Sequence, residues 1–359
     1  MLSRRTLLLG GLVSSTQAVG TPAKALQFPR DHGAHPETGV EWWYVTGYAA
    51  VGDQPAALGF QLTFFRRRVA STQGLRSTLA AKQLIFAHAA ITDVQNQKLW
   101  HDQRIARSSG DEATDRPRAL ALASTRTTDV ALGDWSLQRH GDNLAATVRG
   151  AEFSMALTLS ATQPLMLQGD AGQSRKGPEL RQMSAYYSQP QLQVAGELRI
   201  QGRRYTAGSA SRAWLDHEWS NEFLHPDARG WDWIGINLSD GSALMAFQIR
   251  DQAGRALWDG GSVRSSAGQQ VFRRGDIRFE AIRYWASPAS SARYPVQWRV
   301  WTPAGPCTVT AVVDNQELDS RASTGAVYWE GLCEVRDAAE RLIGRGYLEM
   351  TGYAAPLKL

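Results

Sequence analysis

The stretch DHGAHPETGVEWWYVTG, residues 31–47, combines two histidines, two carboxylates, a His-Pro step and adjacent tryptophans. A strand built for packing alone needs no such mixture, and its meaning turns on a second copy further along. HPETGVEWW (35–43) matches HPDARGWDW (225–233), with His35 against His225 and Trp43 against Trp233. An Asp-His precedes each block, Asp31-His32 and Asp216-His217. An aromatic-Gln-aliphatic run follows each, Phe60-Gln61-Leu62 and Phe247-Gln248-Ile249. Ordered matches of this kind predict two related domains in tandem.

The type of domain follows from periodicity. In ALGFQLTFF, Leu58, Phe60, Leu62 and Phe64 share one face while Gly59, Gln61 and Thr63 share the other. FSMALTLSA, MAFQIRD, ELRIQG, QWRVWT, CTVTAVV and GYLEMTGY alternate likewise between Gly, Pro, Asp or Asn turns, and no long helical period appears. Many antiparallel strands with one apolar face predict an all-β protein of sandwiches or barrels. The expected division is a leader over 1–25, one β-domain over 26–222 and a second over 223–359. The seam is expected near 221–229, and a long polar loop over 108–118.

Bulk properties narrow the function. The chain has 359 residues, 43% hydrophobic and 20% charged, as in soluble globular proteins. Thirteen tryptophans suit pocket linings, since each ring offers large apolar area and one N–H donor. The net charge of +5 is mild, and Arg66–Arg68 is the one tight basic run, so nucleic acid is not an expected partner. At the N-terminus, SRR precedes the short apolar run TLLLGGLV, and Ala23-Lys24-Ala25 fits a cleavage site. This pattern predicts twin-arginine-type export and cleavage near Ala25. The mature protein would then be periplasmic or secreted, with no transmembrane span. Cys307 and Cys333, the only cysteines, leave two outcomes open, a bridge permitted by an oxidising compartment or two buried thiols.

Three chemistries compete for the polar residues. Asp31, His32, His35 and Glu41 offer metal-ligand atoms. In the second copy, however, His217 and His225 break the spacing, and prolines after His35 and His225 favour extended backbone. These five residues, Asp31, His32, His35, Glu41 and His225, are therefore expected to form a structural corner, with no metal. Serine hydrolysis lacks a G-x-S-x-G. The richest segment is AWLDHEWSNEFLHPDARGWDW (213–233), where carboxylates alternate with indoles. Apolar walls keep a carboxyl protonated, and aromatic faces stabilise a carbocation, which is the chemistry of alkene protonation. A seam between domains, with acids capping turns and tryptophans filling space, is the alternative for the same residues.

At these residues the chain resembles the lipocalin-like carotenoid 1,2-hydratase (hydroxyneurosporene synthase) superfamily, and within it the exported AttH-like branch. FPRDHGAHPETGVEWWYVTG, AWLDHEWS, GWDWIGINLSDGSALMAFQIR, YWEG and GYLEMTGY carry the likeness, from about Phe28 to Tyr353. The resemblance implies two lipocalin-like β-barrels packed side by side. It also implies cofactor-free addition of water to a terminal isoprenoid double bond, with the family's His-x-Trp element on His217 and Trp219. The family's Tyr-x-Asp element has no counterpart where spacing places it, at Leu244-Met245-Ala246. Asp216, Glu218 or Asp232 then stands as the acid if the protein is an enzyme. The leading expectation is an exported protein that binds a long hydrophobic ligand, lipid, acyl chain or isoprenoid, through Trp42, Trp43, Trp231, Trp233 and Asp232. The branch's association with export permeases implies an ABC-type permease as a partner, and no cofactor is expected.

Overall fold

The alternating pattern folds as strands almost throughout. The computed structural model describes residues 25–77, 79–110, 120–221 and 224–356. Apart from two 3-10 turns, Arg30–His32 and Ala70–Thr72, every regular element among them is a β-strand. The ladders are antiparallel and form two sheets. One has 14 strands, drawn from Val40–Val51 through Arg212–Ser220, and the other has 10, from Ala228–Leu238 through Leu342–Met350. Of the expected leader over 1–25, residues 1–24 lie outside the described residues, as do 111–118 of the loop expected over 108–118, whose first residue, Ser108, ends the strand Lys98–Ser108. No helix among the described residues is long and apolar enough to cross a membrane.

The first sheet runs from Lys98–Ser108 through Gln83–Asp93, Gln54–Arg68, Val40–Val51, Arg212–Ser220 and Met183–Ile200, ending at Ala121–Ala123. Strand twist curls it until its two ends approach each other, making it barrel-like. Its interior is filled by side chains that include Trp43, Phe60, Phe64, Trp135 and Leu215. The second sheet encloses its own core of Ile234, Tyr294, Trp298, Trp329 and Leu348. Cys307 and Cys333 sit in that core as free, buried thiols, so of the two outcomes left open the unbridged one is found. Burial pushes the Cys307 thiol up to about 12.

A third apolar cluster lies between the sheets and contains Tyr44, Tyr186, Trp214, Trp233, Phe247, Leu332 and Tyr347. Strand alternation produces it. Along Val40–Val51, Trp43 and Val45 enter the first barrel, while Tyr44 turns outward to meet the second sheet. Each fully buried ring of this size contributes roughly 1.5–3 kcal/mol, so several of them hold the two sheets as one body. The candidate site is a gap in this seam.

Candidate active site

The gap is a cavity of about 350 Å³ whose walls are the facing surfaces of the two sheets. Strand register lays out each wall as rows. On the first sheet, Tyr44 pairs with Thr63 on one side and Asp216 on the other. The next row sets Trp42 between Phe65 and Glu218, with Tyr186 beyond Glu218. On the second sheet one row reads Phe247, Trp233, Glu349, Glu330, and the next reads Ile249, Trp231, Thr351. Four carboxyls, Asp216, Glu218, Glu330 and Glu349, thus face one another among aromatic rings.

Their environments differ. Asp216 accepts hydrogen bonds from Tyr186 Oη (2.6 Å), Ser188 Oγ (2.5 Å) and Trp214 Nε1 (2.6 Å). Burial nevertheless pushes its pKa up to about 7, against those donors and with help from Glu218. Glu218 is paired with Lys176 at 2.9 Å and accepts from Ser184; burial raises it, and Lys176 opposes the rise. Lys176 Nζ also lies 4.2 Å from the Phe247 ring centre. Glu330 and Glu349 lack such a cation. They stand directly opposite across an antiparallel pair, where two like charges destabilise the sheet. Burial and the neighbouring carboxyl raise Glu330 well above the carboxylate range; burial and the charges of Asp216 and Glu218 raise Glu349. The pair therefore keeps at least one proton at neutral pH, as carboxyl dyads do. At the mouth, His88 Nδ1 meets Tyr328 Oη and Nε2 meets Ser323 Oγ, both at 2.8 Å, tying the first sheet to the second.

Trp42, Trp231, Trp233, Asp216 and Glu218 line this cavity. The other site residues expected from the sequence point elsewhere, and strand alternation is the reason. His217 and Trp219, flanking Glu218 on the same strand, face the first barrel and not the cavity. His217 Nε2 meets Glu41 Oε1 at 2.9 Å and its ring stacks on Trp43, while Trp219 stacks on His35 with ring centres 3.8 Å apart. Neither can touch a molecule held between the sheets, and Trp43 is likewise inside the barrel. Asp232 lies on the far side of its strand from Trp231 and Trp233. There it accepts from Arg250 Nε (2.8 Å), Gln248 (2.7 Å) and Tyr353 (2.9 Å). Buried acid–arginine pairs occur in both sheets, Glu41 with Arg66 directly opposite it and Asp232 with Arg250 diagonally across from it.

Glu41 organises a polar plug at one end of the first barrel. It accepts from Arg66 Nε (2.7 Å), His35 N (2.9 Å), His35 Nδ1 (2.8 Å) and His217 Nε2 (2.9 Å). Asp31 meets the other nitrogen of His35 at 3.1 Å, and His32 meets Tyr187 at 2.9 Å. His225 is apart from this group, beside Asp227. Burial pushes the Glu41 carboxyl up, but the His217 and His35 hydrogen bonds and the Arg66 charge outweigh it and hold it well below the usual range. Burial lowers His217 to about 4 in spite of Glu41. The donor atoms of His35, Glu41 and His217 lie within 4.8 Å of one another, close enough for a shared cation. The Arg66 guanidinium already occupies that carboxylate, so a metal ion would be set against a fixed positive charge.

Two of the cavity's acids were not singled out by sequence reasoning. Glu330 lies in YWEG and Glu349 in GYLEM, each among apolar neighbours on its strand, Glu330 buried and Glu349 half-buried. A carboxylate between aromatic and aliphatic neighbours in a strand is the signal that would have found them.

The fold agrees with what the chain resembles among known proteins. The family model for AttH-like proteins matches residues 19–353. The chain belongs to the AttH-like family. The crystal structure of the AttH-type protein of Nitrosomonas europaea is 45% identical, covers 93% of this chain and 98% of its own, and superposes with a TM-score of 0.84. Kievitone hydratase from Nectria haematococca shares the lipocalin-like fold at 15% identity, with 92% of this chain and 94% of its own covered and a TM-score of 0.67. CghA does so at 12% identity, 94% and 97% coverage and a TM-score of 0.55. No curated protein matches the sequence significantly. At these identities the hydratase and CghA speak to the fold of the AttH-like chain and not to its chemistry.

Proposed function

We propose that this AttH-like protein is exported, takes an apolar, alkene-bearing small molecule into the cavity between its sheets, and adds water to it without a cofactor. The observation that carries this reading is the Glu330–Glu349 dyad, a buried source of one proton facing an aromatic wall. Glu349 donates its proton to the less substituted alkene carbon, and the π pair forms the new C–H bond. The cation left on the more substituted carbon faces the rings of Trp42, Trp231 and Trp233. Water then forms the C–O bond, and the proton it sheds returns to the dyad, so the acid is regenerated. Asp216, balanced near neutrality, is the second acid in reach of the cavity. Kievitone hydratase, by its name, belongs to the same reaction class.

Size narrows the substrate. About 350 Å³ is at the small end of the roughly 300–1,000 Å³ range of small-molecule pockets. A short isoprenoid, or the end of a long one, fits better than a whole carotenoid. The test is incubation of the purified protein with farnesene in water enriched in heavy oxygen, followed by mass spectrometry. A labelled tertiary alcohol is expected, lost by at least ten-fold in Glu349→Gln. Return of unaltered farnesene in a solvent extract of the protein would replace catalysis with carriage, the reading in which the ligand is passed to a permease. Alcohol formed equally by Glu349→Gln would remove the dyad from the mechanism.

A further inference from the structure

Two polar atoms in the wall of the cavity are left over once the hydrogen bonds are assigned: the hydroxyl of Tyr44 and Oε1 of Glu330. Both are buried, and neither has a partner in hydrogen-bonding geometry. The other tyrosines of the cavity are satisfied, Tyr186 by Asp216 and Tyr328 by His88. Among the described residues lining the cavity, no other side-chain atom is left in this state. Buried polar groups are otherwise almost always paired, so each exception marks a place where something else belongs.

The two atoms come from opposite walls, Tyr44 from Val40–Val51 of the first sheet and Glu330 from Ala326–Arg336 of the second. They are close: after burial, the Glu330 and Glu349 charges and the polar approach of the Glu330 carboxyl are what raise the Tyr44 phenol. Resting on the proposed function, we infer that Tyr44 and Glu330 form an oxygen subsite that holds the attacking water and afterwards the hydroxyl of the product. A hydroxyl group suits it because it carries one donor and two acceptor lone pairs, enough to satisfy a phenol and a carboxyl together. An alkene satisfies neither. The subsite also sits beside the dyad's proton, in the row that runs through Trp233, Glu349 and Glu330. The oxygen is therefore held next to the acid and over the indole wall, where a cation formed by protonation is within its reach.

The test compares nerolidol, an isoprenoid tertiary alcohol, with farnesene, by quenching of tryptophan fluorescence in the full-length purified protein. Nerolidol is expected to bind about ten-fold more tightly, as one to two net hydrogen bonds allow. In Tyr44→Phe that ratio should fall to about two-fold or less, and Glu330→Gln, which keeps an acceptor, should fall in between. Tyr44→Phe should also melt no lower than the natural protein, because it removes a buried unpaired hydroxyl. Equal affinity for the two probes in the natural protein, or a ratio preserved in Tyr44→Phe, overturns the subsite while leaving the apolar cavity intact. Quenching by neither probe removes the proposed function, and the subsite with it.

Discussion

Glu349→Gln should abolish much of the protein's loss of stability at alkaline pH. Glu330 and Glu349 stand opposite each other on neighbouring strands, Glu330 buried and Glu349 half-buried. Side chains so placed are about 5 Å apart, and two charges at that distance repel by roughly 3 kcal/mol at an effective dielectric of about 20. The direction follows from linkage. Both carboxyls are raised above their ordinary value of 4.5, so the folded protein binds more protons than the unfolded chain above that pH. The Glu349 contribution is intact below about pH 4.5 and is lost as pH rises through about 8. Glutamine keeps the shape and an acceptor for Trp231 but cannot ionise. Urea unfolding of the two proteins across this range is the assay. The curves should coincide near pH 4 and diverge until the variant is about 3 kcal/mol more stable near pH 9. Asp216, raised from 3.8 to about 7, adds a slope of the same sign to both proteins, and its repulsion of the Glu349 charge is part of the difference between them. Parallel curves would refute the shared proton, and with it the acid on which the proposed hydration depends.

Two further substitutions separate the barrel plug from the cavity. Arg66→Met leaves the Glu41 carboxylate buried without its guanidinium and should cost about 3–5 kcal/mol in urea unfolding; a loss under about 1 kcal/mol would mean that the histidines alone suffice. His217→Ala should lower the thermal midpoint yet leave quenching by nerolidol unaltered, because its ring faces the first barrel, whereas Trp42→Ala should weaken that quenching by at least three-fold. Loss of quenching in His217→Ala at a temperature where it remains folded would contradict the assignment of faces.

Much of the architecture was open to reading in the linear chain. Alternation such as Leu58, Phe60, Leu62 and Phe64 became the inward face of a strand, and the HPETGVEWW and HPDARGWDW blocks open the first strands of the two sheets. The site was only half visible. Asp216, Glu218, Trp42, Trp231 and Trp233 were named, but so were His217, Trp219, Trp43 and Asp232, which turn away from the cavity. In a strand, neighbours point oppositely, so Trp42 faces the cavity while Trp43 does not, and Glu218 faces it while His217 and Trp219 beside it do not.

Sequence alone determined that the chain would be strands with one apolar side, because a period of two is written in consecutive residues and needs no partner to be seen. It also determined that acids and indoles would lie close together around Asp216–Glu218 and Trp231–Trp233. Tertiary structure decided which of them share a space. Glu330 and Glu349 become a proton-sharing pair only through the register of two strands, and Tyr44 meets Glu330 only because the outer faces of two sheets pack together. Charge and hydrogen bonding in such a place depend on what lies across the gap, and that neighbour is far away in sequence.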